Sequence, residues 1–279
     1  MSTQFKADLH THSTFSDGTL SPKELVDLSV SQGFQGLSIC DHDSIDSYAA
    51  AHEYAKKCGL KLIPGIEISC EMFGESVHIL GYAYNPESSE LKDFCRLHRE
   101  RRAARNEAIL QKLNEHGFEL KTSDVVDPKA ETITYGRPHI ALAMVRKGYV
   151  KDIQEAFRKY IASGRPCYVA GERWKVEEAI DVIHRAQGLA VIAHPHLILR
   201  DKIVRELITK NFDGIEVFYC RFQADQCEYW RRIAQDKKWL RTGGSDFHGA
   251  NKPDVTFGVS FVGQEDFDPI WNHFQYVIS

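Results

Sequence analysis

Six short segments of the chain carry side chains that ligate metal ions. They are His10-Thr11-His12 with Asp17 behind it, Asp41-His42-Asp43, Glu67, His78, His194-Pro195-His196 and Asp246-Phe247-His248. Residues i and i+2 on an extended segment point to the same side, so His10 and His12 can reach one centre together, as can Asp246 and His248. A single H-x-H spacing says little, since 13 histidines in 279 residues give roughly 0.6 such pairs by chance. Chance does not put ligand-type residues at the ends of six different apolar runs. Imidazole and carboxylate donors without thiolate suit Mn²⁺, Fe²⁺ or Zn²⁺. The nine candidates are His10, His12, Asp17, His42, Glu67, His78, His194, Asp246 and His248. They are too many for one ion, which predicts a site of two or three.

Short apolar runs that alternate with helical patterns must position these residues. Strands are expected over 5–9, 36–40, 60–66, 77–82, 189–193, 214–217 and 239–242, with helices over about 22–32 and 44–58. Ser21-Pro22 opens the first helix and Gly33 closes it, while Gly59 closes the second. Most candidate ligands follow directly on a strand, and His78 lies on one. Strands separated by helices indicate a parallel sheet with crossover helices. Seven of them in one domain predict an α/β fold with a closed or nearly closed β/α barrel, whose C-terminal strand ends assemble the site. Between about 87 and 171 the pattern is helical throughout, over 91–116, 137–147 and 150–162. This stretch is expected to be a helical insertion domain roofing the active site, with 1–86 and 172–279 forming the barrel. Glu75-Ser76 is expected to make the hairpin turn just before it.

Composition excludes several classes. Hydrophobic residues make up 43% of the chain, and 39 acidic against 35 basic side chains leave a net charge of −4. That is enough apolar content for a sizeable core, and the charge gives no reason to expect stable binding to duplex DNA. No apolar run is long enough to span a membrane, and the segment from Met1 to Asp8 lacks the apolar stretch of a secretion signal, so a soluble, cytoplasmic protein is expected. The seven cysteines, Cys40, Cys58, Cys70, Cys95, Cys167, Cys220 and Cys227, form no C-x-x-C pair and read as free thiols.

In these segments the chain resembles the polymerase-and-histidinol-phosphatase (PHP) domain family. The matching pieces are Asp8-Leu9-His10-Thr11-His12-Ser13-Thr14-Phe15-Ser16-Asp17-Gly18, Cys40-Asp41-His42-Asp43, Pro64-Gly65-Ile66-Glu67, Val77-His78-Ile79-Leu80-Gly81, Ala193-His194-Pro195 and Gly244-Ser245-Asp246-Phe247-His248. The resemblance implies a distorted (β/α)7 TIM-like barrel with a trinuclear centre. One ion would take His10, His12, Glu67 and Asp246; a second would share Glu67 and add His78 and His194; a third would take Asp17, His42 and His248. Mn²⁺ is the metal expected first. The helical insertion is similar to that of a bacterial subgroup of 3′,5′-nucleoside bisphosphate phosphatases that also trim short RNA from the 5′ end. Tyr135-Gly136-Arg137-Pro138-His139 resembles that subgroup's substrate-binding motif.

The implied activity is hydrolysis of the 3′-phosphate of nucleoside 3′,5′-bisphosphates, with 5′-to-3′ trimming of short 5′-phosphorylated RNA. A metal-bridged hydroxide would be the nucleophile, so no side chain is assigned a catalytic role. Arg137, His139, Ser16 and His196 are the expected substrate contacts. For Arg137 and His139 the structural alternative is a helix start, with Arg137 paired to a carboxylate. His196 and Glu216 lie near strand ends, where they would support the ligands, meet substrate or simply pack. Arg99, Arg101, Arg102 and Arg105 form a basic cluster that is either a phosphate-facing surface or a solvated helix face. His52, His98, His116, His184 and His273 fall off the strand-end pattern and are not expected as ligands. The competing functions are a histidinol-phosphate or other small phosphomonoester phosphatase, an amidohydrolase, and a metal-binding regulatory module without turnover.

Overall fold

The computed structural model describes residues 4–126, 135–220 and 224–279, so most of Met1-Ser2-Thr3-Gln4 lies outside it. In chain order the strands are β1 (Ala7–Thr11), β2 (Gly36–Ile39), β3 (Lys61–Met72), β4 (Glu75–Tyr82), β5 (Trp174–Lys175), β6 (Leu189–Ile192), β7 (Gly214–Tyr219) and β8 (Leu240–Gly244). The α-helices are α1 (Pro22–Ser31), α2 (Asp46–Lys57), α3 (Ser89–Glu115), α4 (Thr122–Val125), α5 (Arg137–Arg146), α6 (Ile153–Ala156), α7 (Val176–Arg185), α8 (Asp201–Leu207), α9 (Ala224–Lys237) and α10 (Gln264–Val277). None of the described helices is long and apolar enough to cross a membrane. The chain divides into two compact units, 1–95 with 174–279, and 96–173. Their limits fall within and just after the helical stretch because Leu91, Phe94 and Cys95 at the start of α3 belong to the same apolar cluster as the β3–β4 hairpin and α7.

In the first unit the strands run in the order β1-β2-β3-β4-β6-β7-β8, with the short β5 pairing β3 on the side. This is the distorted seven-stranded barrel expected of the sequence, with two corrections. First, β4 is antiparallel to both β3 and β6, so the sheet is mixed rather than parallel. A β3–β4 connection of two residues is too short for a crossover and forces a hairpin. Second, the turn lies at Phe73-Gly74 and not at Glu75-Ser76, which belong to β4. Phe73 and Gly74 take φ of 53° and 80°, the left-handed pair of a tight hairpin turn.

The seam between β8 and β1 is closed by backbone bonds beyond the regular ladders. Asp246 N donates to His10 O at 2.7 Å and His12 N to Phe247 O at 2.9 Å. On the other side Ala7 exchanges both bonds with Val262 at 3.0 and 2.9 Å. A buried cluster of Leu9, Ile63, Leu80, Tyr82 and Val191 with Phe267 and Phe274 ties four strands to α10. Ile68, Ile79 and Ile215 pack with Ile183, Leu207 and Trp230 of the surrounding α7, α8 and α9. Fully burying side chains of this size contributes about 1.5–3 kcal/mol each, so these layers hold the strand ends in place.

Local chemistry sets the helix starts. Ser21 and Glu24 form a capping box, Ser21 N donating to Glu24 Oε2 at 2.7 Å, with Pro22 in the first turn where its missing N–H costs nothing. In the second unit, the helix expected over 150–162 is shorter and changes type. It is α6, capped by Asp152 Oδ1 accepting from Glu155 N at 2.7 Å, followed by a π-helical turn over Phe157–Ile161. None of the seven cysteines is joined in a disulfide.

One of the histidines off the strand-end pattern has a structural role. His184, in the last turn of α7, faces Asp213 at Nε2–Oδ2 2.7 Å, and Asp213 also accepts from Ala190 N at 2.8 Å. The bond to Asp213 raises the His184 pKa above its ordinary 6.5. The folded chain therefore holds this proton more tightly, and the stabilisation is present below the ordinary pKa and fades as pH rises through the raised one. In urea titrations the stability lost in His184→Asn is expected to be larger at about pH 5.5 than at about pH 9. An equal loss at both would show that the ion pair contributes nothing.

Candidate metal centre

Glu67 lies in the middle of β3, beyond the end of β2, where residues 41–43 continue alongside it through Glu67 N to Asp41 O and Asp43 N to Glu67 O. Its carboxylate is buried and meets five imidazoles. Oε1 is 2.8 Å from His78 Nδ1 and 2.8 Å from His194 Nε2. Oε2 is 3.2 Å from His12 Nε2, 3.2 Å from His42 Nδ1 and 3.5 Å from His10 Nε2. Asp246 Oδ1 is 3.4 Å from His12 Nε2, 3.7 Å from His10 Nε2 and 3.4 Å from His248 Nδ1. Asp17 closes the third side, 3.3 Å from His248 Nε2, 3.8 Å from His12 Nδ1 and 3.9 Å from His42 Nε2. The nine sequence candidates thus lie in one cluster.

The mixed sheet explains how His78 joins them. Because β4 runs backwards, its first half lies at the same end as the C-terminal ends of the parallel strands, and His78 pairs with Ser69, two residues beyond Glu67. Three overlapping groups have geometry that could hold an ion: His12, Asp17, His42 and His248; His10, His12 and Glu67; His42, Glu67 and His78.

Buried polar atoms without partners normally carry a cost. Here His10 Nε2, both ring nitrogens of His12 and His42 Nδ1 are buried with no hydrogen-bond partner among the described residues. Divalent cations between these nitrogens and the three carboxylates would satisfy them, so the donor set fits metal binding. Burial pushes the carboxyls of Asp17, Glu67 and Asp246 upward, but the neighbouring imidazoles outweigh it and hold all three well below the usual carboxylate range. Burial opposes charge on His12, yet Asp246 and Glu67 raise its pKa to about 9, whereas burial dominates at His42 and lowers it to about 3. Carboxylates kept ionised are what a hard cation needs.

A surrounding layer fixes the ligands. Glu216 Oε1 is 2.9 Å from His10 Nδ1, leaving Nε2 facing the centre, and its Oε2 accepts from His194 N at 2.7 Å. A carboxylate behind a ligating histidine sets its tautomer and orientation. Asp8 is fully buried and joins β1 to the β8 end, accepting from Ser245 N at 3.0 Å, Ser245 Oγ at 2.5 Å and Gly258 N at 3.1 Å. Burial raises its pKa to about 6. The carboxylates flanking His42 serve the scaffold: Asp41 accepts from Ser13 N at 2.8 Å, and Asp43 from Ser69 N at 3.0 Å. Asp246 turns Oδ1 to the histidines and Oδ2 outward, where Tyr219 Oη donates at 2.6 Å and Lys252 Nζ pairs with it. Burial and Asp246 push the Tyr219 phenol upward, so it remains a donor.

The backbone is bent to suit. Asp43, His194 and Asp246 take φ of 56°, 24° and 56°, a region non-glycine residues rarely adopt and one often found at functional sites. Gly244 must be glycine, because a Cβ there would lie 2.3 Å from His10 N. Asp8, Tyr219 and Lys252 escape sequence reasoning. Asp8 sits in the D-x-H-x-H stretch two residues before His10, the one local signal. Nothing in spacing marks Tyr219 or Lys252.

The expected substrate contacts fall in both units, Ser16 and His196 in the first and Arg137 and His139 in the second. Ser16 is buried with Oγ donating to Asp41 Oδ1 at 2.6 Å, which ties down the loop carrying Asp17. His196 stacks obliquely on Tyr219, ring centroids 5.1 Å apart. In the second unit Arg137 is partly buried, its guanidinium over the Phe157 and Tyr168 rings at 5.8 and 5.6 Å and its Nη1 donating to Ile161 O at 3.4 Å. Burial, then Arg173, lower its pKa. His139 Nδ1 accepts from Gly136 N at 3.2 Å and caps α5. Of the basic cluster, Arg101 pairs with Glu172 at 3.3 Å and Arg105 bonds Asn106 Oδ1 at 2.8 Å.

Because a ligand that binds only the folded state raises its stability, added Mn²⁺ is expected to raise the Tm of chelator-treated protein. Tyr219→Phe removes a donor from the outer oxygen of Asp246 and is expected to weaken Mn²⁺ affinity about tenfold while leaving the fold intact. Unchanged affinity in this variant would reduce Tyr219 to a packing residue.

Comparison with known proteins agrees with this geometry. A family model described as PHP domain matches residues 8–222. A 5′-3′ exoribonuclease of Haemophilus influenzae is 36% identical over 251 residues, which are 87% of this chain and 90% of that protein. A 3′,5′-nucleoside bisphosphate phosphatase of Chromobacterium violaceum is 30% identical over 269 residues, 94% of this chain and 93% of the relative. A solved structure described as a metal-dependent phosphoesterase from Bifidobacterium adolescentis superposes with a TM-score of 0.86 at 30% identity, covering 97% and 96% of the two chains. The chain belongs to the PHP domain family of metal-dependent phosphoesterases.

Proposed function

We propose that this phosphoesterase removes the 3′-phosphate of nucleoside 3′,5′-bisphosphates, leaving the nucleoside 5′-monophosphate and inorganic phosphate, and that it trims short 5′-phosphorylated RNA from the 5′ end. The observation that carries the reading is the buried cluster of nine imidazole and carboxylate side chains around Glu67. The activities named for both curated relatives, whose lengths this chain spans almost entirely, supply the substrate class.

In this reading His10, His12, Glu67 and Asp246 hold one ion, Glu67, His78 and His194 a second, and Asp17, His42 and His248 a third. Mn²⁺ is proposed as the metal, with Fe²⁺ or Zn²⁺ as substitutes that the same donors accept. Bound divalent cations lower the pKa of water and neutralise the charge of a phosphoryl group. The side chains do the rest. Glu216 holds His10 with Nε2 inward, Tyr219 and Lys252 fix Asp246, and Ser16 fixes the loop of Asp17. Arg137 and His139 are proposed as contacts to a substrate phosphate. Arg137 faces the repulsion of Arg173 and Arg102, which an anion would relieve, and its planar fork suits phosphate oxygens.

Incubation with Mn²⁺ and adenosine 3′,5′-bisphosphate is expected to give equal amounts of adenosine 5′-monophosphate and phosphate. His12→Ala and Asp246→Ala are expected to lose about two orders of magnitude or more in kcat/KM. Arg137→Ala should raise KM about tenfold. Faster hydrolysis of L-histidinol phosphate would replace the proposed substrate with a small phosphomonoester. Metal-loaded protein that turns over no phosphoester would make the chain a metal-binding module.

A further inference from the structure

Charge is divided unevenly between the two units. Residues 96–173 carry 16 basic and 10 acidic side chains, a net charge of +6, while the rest of the chain carries −10. Ten of the chain's 17 arginines fall within these 78 residues. The second unit is thus cationic although the whole chain is acidic, and an asymmetry of this kind points to a polyanionic partner.

Several of these arginines are gathered rather than spread through solvent. Arg101, Arg102 and Arg105 share one face of α3, being three and four residues apart, and all three are half-buried. That face meets two glycines. A Cβ on Gly136 would lie 2.7 Å from Arg102 Nη2, and one on Gly171 would lie 2.8 Å from Arg105 Cδ. The bare backbone at both places lets an arginine side chain pass close by. Gly136 leads into Arg137, and Gly171 lies two residues before Arg173, so guanidiniums from three segments come together. Arg173 and Arg102 both act on Arg137 as like charges. Tyr168 lies beneath the Arg137 guanidinium, and Asn106, next to Arg105, donates to Tyr135 O at 2.9 Å, so aromatic side chains are set among the arginines. Holding like charges together costs free energy that a bound polyanion would offset.

We propose that the second unit binds the backbone of single-stranded RNA, Arg102, Arg105, Arg137 and Arg173 holding successive phosphates while Tyr135 and Tyr168 offer surfaces to the bases. The inference deepens the RNA part of the reading above and rests on it. One arginine suffices for one phosphate, and a cluster of this size suits a chain of several. Guanidinium forks match phosphate oxygens, and cationic surfaces interleaved with aromatic rings are what single strands bind. An acidic peptide would satisfy the forks but brings no bases for the tyrosines.

The test measures binding of a fluorescent, 5′-phosphorylated RNA decanucleotide to the full chain in chelator, where RNA is bound and not cut. The logarithm of the association constant is expected to fall against that of salt concentration with a slope of about −2 or steeper, equivalent to three or more phosphates. Arg102→Gln with Arg173→Gln is expected to flatten the slope by about 0.7 for each arginine removed. Arg102→Lys with Arg173→Lys keeps the charge, so it should restore the slope while binding more weakly for want of the planar fork; this pair separates a phosphate contact from a purely structural role. A slope of about −0.7, or one that the glutamine pair leaves unchanged, would overturn the RNA surface, and hydrolysis of adenosine 3′,5′-bisphosphate by the same protein with Mn²⁺ would leave the proposed phosphatase standing. Equal affinity for a polyglutamate peptide would overturn RNA as the occupant. Steep, arginine-dependent RNA binding by protein that cuts neither RNA nor the bisphosphate when loaded with Mn²⁺ would support the surface and overturn the activity.

Discussion

A carboxylate with no access to water is stable only when charge or hydrogen bonds compensate its lost hydration, and Glu67 meets that condition with five imidazoles from four parts of the barrel. His10 and His12 come from β1, His42 from the extension of β2, His78 from β4 and His194 from the end of β6. Each must arrive within hydrogen-bonding or near-ligand distance of the same two oxygens. That requirement brings the ends of β1, β2 and β6 together with the reversed β4 around one carboxylate. It also accounts for the buried histidine nitrogens that have no hydrogen-bond partner among the described residues. A cluster so arranged is half of a coordination site.

Holding such a cluster open requires an environment that no single strand supplies. Glu216 bonds His10 through one oxygen and the His194 backbone through the other, so two ligands share one anchor. Asp8 binds Ser245 and Gly258 and thereby sets the segment that leads into Asp246. Asp43, His194 and Asp246 occupy left-handed backbone conformations at the ends of three strand regions. Strain of this kind costs on the order of 1–3 kcal/mol per residue. The apolar layers around Leu80, Tyr82, Ile183 and Phe267 are large enough to hold it.

Much of this was legible in the sequence because metal chemistry draws on few residue types. Imidazoles and carboxylates placed after apolar runs identify both the barrel and its C-terminal face, and all nine expected ligands do converge. The sheet is mixed where the sequence predicts a parallel one, because alternation of strand and helix says nothing about a strand joined by a two-residue turn. His78 lies on that reversed strand, and its membership of the cluster follows from register rather than from position at a strand end. Tyr219 and Lys252 were illegible for another reason. Their role depends on which oxygen of Asp246 faces outward, a three-dimensional fact that leaves no trace in spacing. Ser16, expected to meet substrate, instead gives its hydroxyl to Asp41. A serine next to a ligand reads the same whether it faces substrate or scaffold.

The most direct test of the central claim is X-ray diffraction from crystals of the Mn²⁺-loaded protein at the manganese absorption edge. Two or three anomalous peaks are predicted among the nine side chains, two of them in contact with Glu67 and all within about 2.0–2.4 Å of His nitrogens or carboxylate oxygens. A single peak outside the cluster, or none in protein that carries manganese in solution, would contradict the assignment of these residues as the catalytic metal centre.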